Sequence, residues 1–284
     1  MTSAIAQPAA TVTLVRDTPR GLEVLLLQRS LRSGFMPGVY VFPGGALEEA
    51  DSAPGIGALC AGLDEAAASR TLGIGRGGLA YWIAAIREAF EEAGILLACD
   101  ARGELVSFAQ EPLARRFHEY RKCVEAGDLT LEAVLVAEKL RLAADRLVYF
   151  AHWITPVGLP RRYDTRFFAA VAPERQEAAH DESETIAHAW VRPAEALARY
   201  RSGEYRLRAP TLATLERFAA FDSSAALIAA LRAQRDIPEI LPRIARDGRS
   251  LLPGDPEYEQ AADFGFGTEG GMQSGEKREA RDKG

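Results

Sequence analysis

Arg87-Glu88-Ala89-Phe90-Glu91-Glu92-Ala93-Gly94-Ile95 is the stretch that decides how this chain is read. Place Glu88 at zero on a helical wheel: Glu91 falls at about 300° and Glu92 at about 40°, so three carboxylates share an arc of about 100°. Leu79, Ile83, Ile86, Phe90, Ala93 and Leu97 gather on the opposite side. The pattern predicts a helix from Leu79 to Ala93, stopped by Gly94, with one buried face and one acidic face. Most acidic runs are solvated surface. Here like charges three and four residues apart cost roughly 0.2–0.5 kcal/mol per pair, and only Arg87 is near enough in sequence to offset them. A hard divalent cation would turn that repulsion into ligation and would bridge to substrate phosphates.

Working outward, Thr11–Val15, Glu23–Gln28 and Val39–Phe42 read as strands bounded by turn residues. The third ends in Pro43-Gly44-Gly45. A short helix is expected at Asp64–Thr71 and a buried strand at Ile95–Cys99. Helices are expected at Pro112–Glu125, Leu131–Leu140, Pro193–Arg201, Pro210–Phe221 and Ala225–Gln234. Strands are expected at Leu147–Thr155, Thr165–Val171 and Thr185–Val191. Interleaved strands and helices predict an α/β fold with helices on both faces of the sheet. Past Pro253 the chain turns polar and rich in Gly, Glu and Lys, which reads as a mobile tail.

The 284 residues carry a net charge of −6, which argues against non-specific binding to nucleic acid or an anionic membrane. Cys60, Cys99 and Cys123 lack metal-ligand spacing and suggest a reducing compartment, so a cytoplasmic location is expected. No secretory signal and no apolar run of membrane-spanning length is read from the sequence. A homodimer is compatible with the sequence but not indicated by it.

Arg-Glu-x-x-Glu-Glu-x-Gly followed by an aliphatic residue resembles the second half of the Nudix box. Phe42-Pro43-Gly44-Gly45-Ala46-Leu47-Glu48-Glu49-Ala50-Asp51 resembles its opening, with Gly45 as the box glycine. Two departures stand out. Asp51 replaces the usual glutamate, and Asp51 lies 36 positions before Arg87 where the box has eight, implying 28 inserted residues. An alignment on Gly73 needs no insertion but puts Leu79 at the acid position. An interrupted box is similar to the peroxisomal-type coenzyme A diphosphatase branch. Val24–Ser30, Gly34–Pro37, Trp153–Pro156 and Arg162–Phe168 extend the likeness.

The resemblance implies a Nudix α/β/α sandwich with a mixed sheet over residues 1–222, interrupted by an insertion at 46–78. Residues 223–284 would form a helical extension and tail. It implies a diphosphatase acting on a nucleoside diphosphate derivative, coenzyme A or an acyl derivative being the expected substrate. Glu91, Glu92 and the carbonyl of Gly44 would hold Mg²⁺ or Mn²⁺, Glu88 would ligate the metal or orient the attacking water, and Arg87 would fix the glutamates by ion pairing. Glu184 is the first candidate for a further downstream acid, with Asp181 and Glu182 behind it. Arg29, Arg161 and Arg162 are candidates for receiving a substrate phosphate. His118, His152, His180 and His188 show no metal-ligand spacing.

Two other readings compete. Gly73-Ile74-Gly75-Arg76-Gly77-Gly78, with Asp100 22 residues beyond Gly78, matches a dinucleotide-binding fingerprint. It lacks the strand that must precede the glycines, because Asp64–Leu72 reads as helix. A non-catalytic binding module on the same fold is disfavoured because Arg87, Glu88, Glu91 and Glu92 are all present.

Overall fold

The computed structural model describes residues 4–30, 37–178, 185–245, 247 and 249–261. Its centre is an eight-stranded mixed sheet. Strand β1 (Gln7–Thr18) lies between the antiparallel β2 (Gly21–Arg29) and the parallel β8 (Tyr163–Val171). Strand β9 (Thr185–Val191) takes the far edge of β2, and the two-residue β3 (Tyr40–Val41) pairs with the end of β2 on the edge that β1 leaves. Beyond β8 lie β7 (Val148–Ile154) and the short parallel β10 (Glu239–Ile240). The three-residue β4 (Gly44–Ala46) pairs with the first half of β1. Two small antiparallel pairs lie outside this sheet: β5 (Ala98–Cys99) with β6 (Arg141–Leu142), and β11 (Arg243–Ile244) with β12 (Ser250–Leu251).

Strand alternation divides the core in two. Ala10, Val12 and Leu14 of β1, Leu25 and Leu27 of β2, and Phe168 and Ala170 of β8 face helix α3 (Leu79–Ala93). That layer is extended by α1 (Pro54–Ala58), α2 (Glu65–Leu72), α4 (Glu111–Glu125) and α5 (Leu131–Glu138). The intervening residues Val24, Leu26, Phe167 and Ala169 face α6 (Pro193–Arg201), α7 (Ala209–Phe218) and α8 (Ser224–Ala233). Each fully buried Leu or Phe contributes about 1.5–3 kcal/mol. The two faces therefore share the stabilisation, and the sandwich expected from the sequence is what forms.

The segment expected as an extension from residue 223 is joined to this core. Asp17 at the end of β1 accepts the Ser224 N–H at 2.7 Å and the Ser224 hydroxyl at 2.6 Å. Leu227 and Leu231 are buried with Phe218, and Glu239–Ile240 adds a strand beside β7. Residues 262–284 lie outside the described residues. The strand expected at Ile95–Cys99 is also reduced, to Ala98–Cys99. The buried Gln176 side chain takes the place of a neighbouring strand: it accepts the Leu96 N–H at 2.8 Å and donates to the Leu96 carbonyl at 3.1 Å. Among the described residues, no helix is long and apolar enough to cross a membrane.

Candidate active site

Helix α3 is buried almost all round, and this corrects the picture of an open acidic face. Glu88 and Glu92 are 9% and 7% exposed, and Arg87 only 4%. They are covered by β4 and by the 3-10 turn Glu49–Ser52. Buried charge must be paired, and Arg87 does the pairing. Its Nε and Nη2 donate to the two oxygens of Asp51, each at 3.0 Å. Nη2 also donates to the Ala46 carbonyl at 3.0 Å, while Nη1 donates to Glu88 at 2.8 Å and to Glu91 at 3.0 Å. Glu48 stands 3.5 Å from Nη1. The two halves of the interrupted box thus meet through a bidentate Arg–Asp pair.

Glycine at position 45 follows from distance alone. A Cβ there would stand 2.4 Å from Glu88 Oε1. The N–H of Gly44 donates to Glu92 Oε2 at 3.0 Å, tying β4 to the helix. Burial pushes Glu88 up to about 7; the Arg87 charge works against this, and Glu91 adds to it. Burial likewise raises Glu91, opposed by Arg87. Burial opposes the charge on Arg87, but the Asp51 hydrogen bond and the charges of Glu88, Asp51 and Glu91 more than offset it.

Both ends of α3 are held by charged side chains from elsewhere. At the start, Glu65 of α2 accepts the N–H groups of Gly77, Gly78 and Leu79, at 2.5, 3.2 and 3.0 Å. Ser69 bonds both Glu65 and the Gly78 N–H. At the finish, Gly94 takes a left-handed conformation with φ 68°, which frees the chain to turn away. There Arg121 of α4, 3% exposed, donates to the carbonyls of Glu91 at 2.8 Å and Glu92 at 3.1 Å. The glycine run Gly73–Gly78 is thereby accounted for. It connects helix α2, not a strand, to α3, and its N–H groups serve an internal carboxylate where a dinucleotide site would present them to phosphate.

A cleft of about 870 Å³ opens over these acids. Glu48, Glu88, Glu91 and Glu92 line it together with Gly44 and Gly45. Arg29 and Arg161, two of the arginines expected to meet phosphate, line it as well. Arg162 is corrected. Its Nε donates to the carbonyls of Thr155 and Pro156 at 3.0 and 3.1 Å, and its Nη1 donates to Ala4 at 2.9 Å, so it braces the loop before β8. Glu184, Asp181 and Glu182, the downstream acids, lie outside the described residues, as does His180. His152 is buried and bonded to Asp164, a structural arrangement within the sheet.

Trp153, part of a segment that extended the likeness, lines the cleft. Sequence reasoning missed Glu125, Arg208 and Thr211, all of which line it too. Each lies tens of residues from the box and carries no local motif; only the fold brings them in. Among the described residues, no three acidic or histidine side chains converge as a finished cation cage. Glu88 and Glu91 each give one oxygen to Arg87 and keep the other outside those bonds.

An acid-bearing helix under a glycine-rich strand, on a mixed sheet between two helical layers, defines a Nudix hydrolase, an enzyme that acts on diphosphate bonds. The solved Nudix hydrolase from Alicyclobacillus acidocaldarius superposes with a TM-score of 0.67 at 26% identity, covering 80% of this chain and 97% of that one. The chain belongs to the NUDT19 Nudix domain family, whose model matches residues 65–218. It is 34% identical to the acyl-coenzyme A diphosphatase NUDT19 of Gallus gallus, over 87% of this chain and 75% of that protein. The acyl-coenzyme A diphosphatase NUDT19 of Homo sapiens is 31% identical over 86% of this chain and 74% of its own length.

Proposed function

We propose that the protein hydrolyses the diphosphate of coenzyme A or an acyl derivative, giving 3′,5′-ADP and a 4′-phosphopantetheine product. The observation that carries this is one cleft lined both by the box glutamates and by Arg29 and Arg161. Such a cleft offers acids for a cation and cations for a phosphate within one substrate's reach. The names of the relatives supply the substrate class.

The donor set fits a hard divalent ion: carboxylates of Glu88, Glu91 and Glu92 beside the backbone of Gly44, with no sulfur or imidazole. We assign these residues to Mg²⁺ or Mn²⁺, which when bound supplies Lewis-acid polarisation of a phosphoryl oxygen and a more acidic water. Arg87 fixes the rotamers of Glu88 and Glu91. The Gly44 N–H orients Glu92. Burial raises the Glu88 carboxyl toward about 7, and a divalent charge beside it would favour the ionised form. Glu184 keeps the role of downstream acid in this reading, and Glu125, which lines the cleft at the end of α4, is its rival.

The test is a product screen with coenzyme A, acetyl-coenzyme A, NADH, ADP-ribose and a dinucleoside polyphosphate, each with Mg²⁺, with Mn²⁺ and with EDTA. Release of 3′,5′-ADP that depends on the metal is the expected result. Cleavage of another compound alone would discard the substrate. Glu91→Gln is expected to cut turnover by about 100-fold or more with the melting temperature kept; near-normal turnover would sink the metal assignment. Comparing Glu184→Gln with Glu125→Gln decides which acid serves downstream. The larger loss of kcat marks it, and no loss in either removes the role.

A further inference from the structure

Four consecutive residues on another wall of the cleft, Arg208, Ala209, Pro210 and Thr211, are the N-cap and first turn of the ten-residue helix α7. No side chain caps this end and no acid sits in its first turn. Its partial positive charge and the N–H groups of Ala209 and Thr211 are therefore offered to whatever lies in the cleft. Glu65 shows what this chain does at a helix start that must be silenced; α7 has no such carboxylate.

A second observation points to a ligand. Thr211 is only 5% exposed yet lines the cleft, and its hydroxyl makes no hydrogen bond among the described residues. The hydroxyl is not sealed in the core but reached from the cleft, so a ligand there can supply the bond that the protein does not. Arg208 and Arg161 line the same cleft, and their guanidinium groups pair with no acid among the described residues. The approach to α7 is rigid. The Tyr40 N–H donates to the Arg206 carbonyl at 2.9 Å, and the rings of Tyr40 and Tyr205 stack with centroids 3.9 Å apart. Leu215 and Phe218 anchor the other end in the core. The groups are preorganised rather than gathered on binding.

We propose that Arg208, Thr211 and the N-terminus of α7, with Arg161, bind a phosphomonoester of the substrate that is not part of the cleaved diphosphate. This rests on the reading above, which puts the diphosphate at the box glutamates. Coenzyme A carries such a group on its ribose 3′ oxygen; NADH and ADP-ribose do not. The subsite would therefore select among nucleoside diphosphate derivatives that the cation site alone treats alike. A guanidinium beside free N–H groups and a hydroxyl is a donor set for a dianionic phosphate.

The test is calorimetric and needs no turnover. The affinities of 3′,5′-ADP and 5′-AMP are compared in EDTA for the full-length protein, Arg208→Gln and Thr211→Val. The unaltered protein is expected to prefer 3′,5′-ADP by about tenfold, and Arg208→Gln to bring that ratio below about threefold, with Thr211→Val between. An unaltered protein without preference overturns the subsite, and so does an Arg208→Gln protein that retains the full ratio. Turnover of coenzyme A and 3′-dephospho-coenzyme A is measured beside it. If the binding preference stands while coenzyme A is not cleaved, the functional reading fails and the subsite survives.

Discussion

The two ends of α3 are secured in opposite ways. The start is held by an anion, Glu65, on an exposed stretch of the insertion inside the box. The finish is held by a cation, Arg121, buried under α4. Each sign suits the helix macrodipole. Their surroundings differ, so their strengths should differ. An exposed cap competes with water more readily than a guanidinium that is itself buried under α4. The comparison teaches that neither excursion of the chain around the box is idle decoration. Between them they fix the axial position of the helix that carries Arg87, Glu88, Glu91 and Glu92.

Breaking the buried end should matter most. Arg121→Ala is expected to lower stability by about 3 kcal/mol, because it removes the donors of one buried and one half-buried carbonyl and leaves a void where the side chain lay. Urea unfolding measures the loss, and kcat should fall with it because Glu91 and Glu92 are the residues held. A stability equal to the parent's would show that the last turn of α3 needs no clasp. Glu65→Ala should cost about 1 kcal/mol, in the range of helix caps generally. A cost as large as that of Arg121→Ala would erase the asymmetry.

The smallest effect is one of pH. Burial opposes the charge on Glu65, but hydrogen bonds from Ser69 and from the backbone of Leu79, Gly77 and Gly78 outweigh it and hold the carboxyl below its usual range. A carboxylate lowered in the folded state contributes stability above its unfolded pKa and loses it as pH falls through the folded one. The cost of Glu65→Ala should therefore be full at neutral pH and shrink toward zero in acid. Arginine does not titrate there, so the cost of Arg121→Ala should stay level. Parallel unfolding curves of both variants from neutral to acid check this, and a Glu65→Ala cost that does not change with pH would contradict it.

Much of this was legible in the residues. The bounds of α3 follow from its apolar stripe and from Gly94, and the strand alternation in β1, β2 and β8 follows from Val and Leu spacing. Less was legible where glycine carries structure. Gly44–Ala46 pairs with β1 although Gly-Gly-Ala has poor strand propensity, and α1 hides in Pro54-Gly55-Ile56-Gly57-Ala58. The role of Glu65 was hidden because its partners lie 12 to 14 residues away across a turn. Arg161 and Arg162 look alike in sequence, yet one lines the cleft while the other braces a loop. No local pattern separates them, because the difference lies in which carbonyls of Thr155, Pro156 and Ala4 the fold brings near.

The Asp51–Arg87 pair closes a loop of 36 residues. By chain statistics, closing it costs about 1.3 kcal/mol more than closing the eight-residue loop of an uninterrupted box. That is small beside a buried bidentate ion pair, so the insertion could lengthen inside the motif without opening it. The helices α1 and α2 reduce the difference further by making the loop compact before it closes. The spacing of this box is therefore free to drift while its contacts are not. A relative with a longer or shorter insertion should still bring its position-51 acid onto its position-87 arginine.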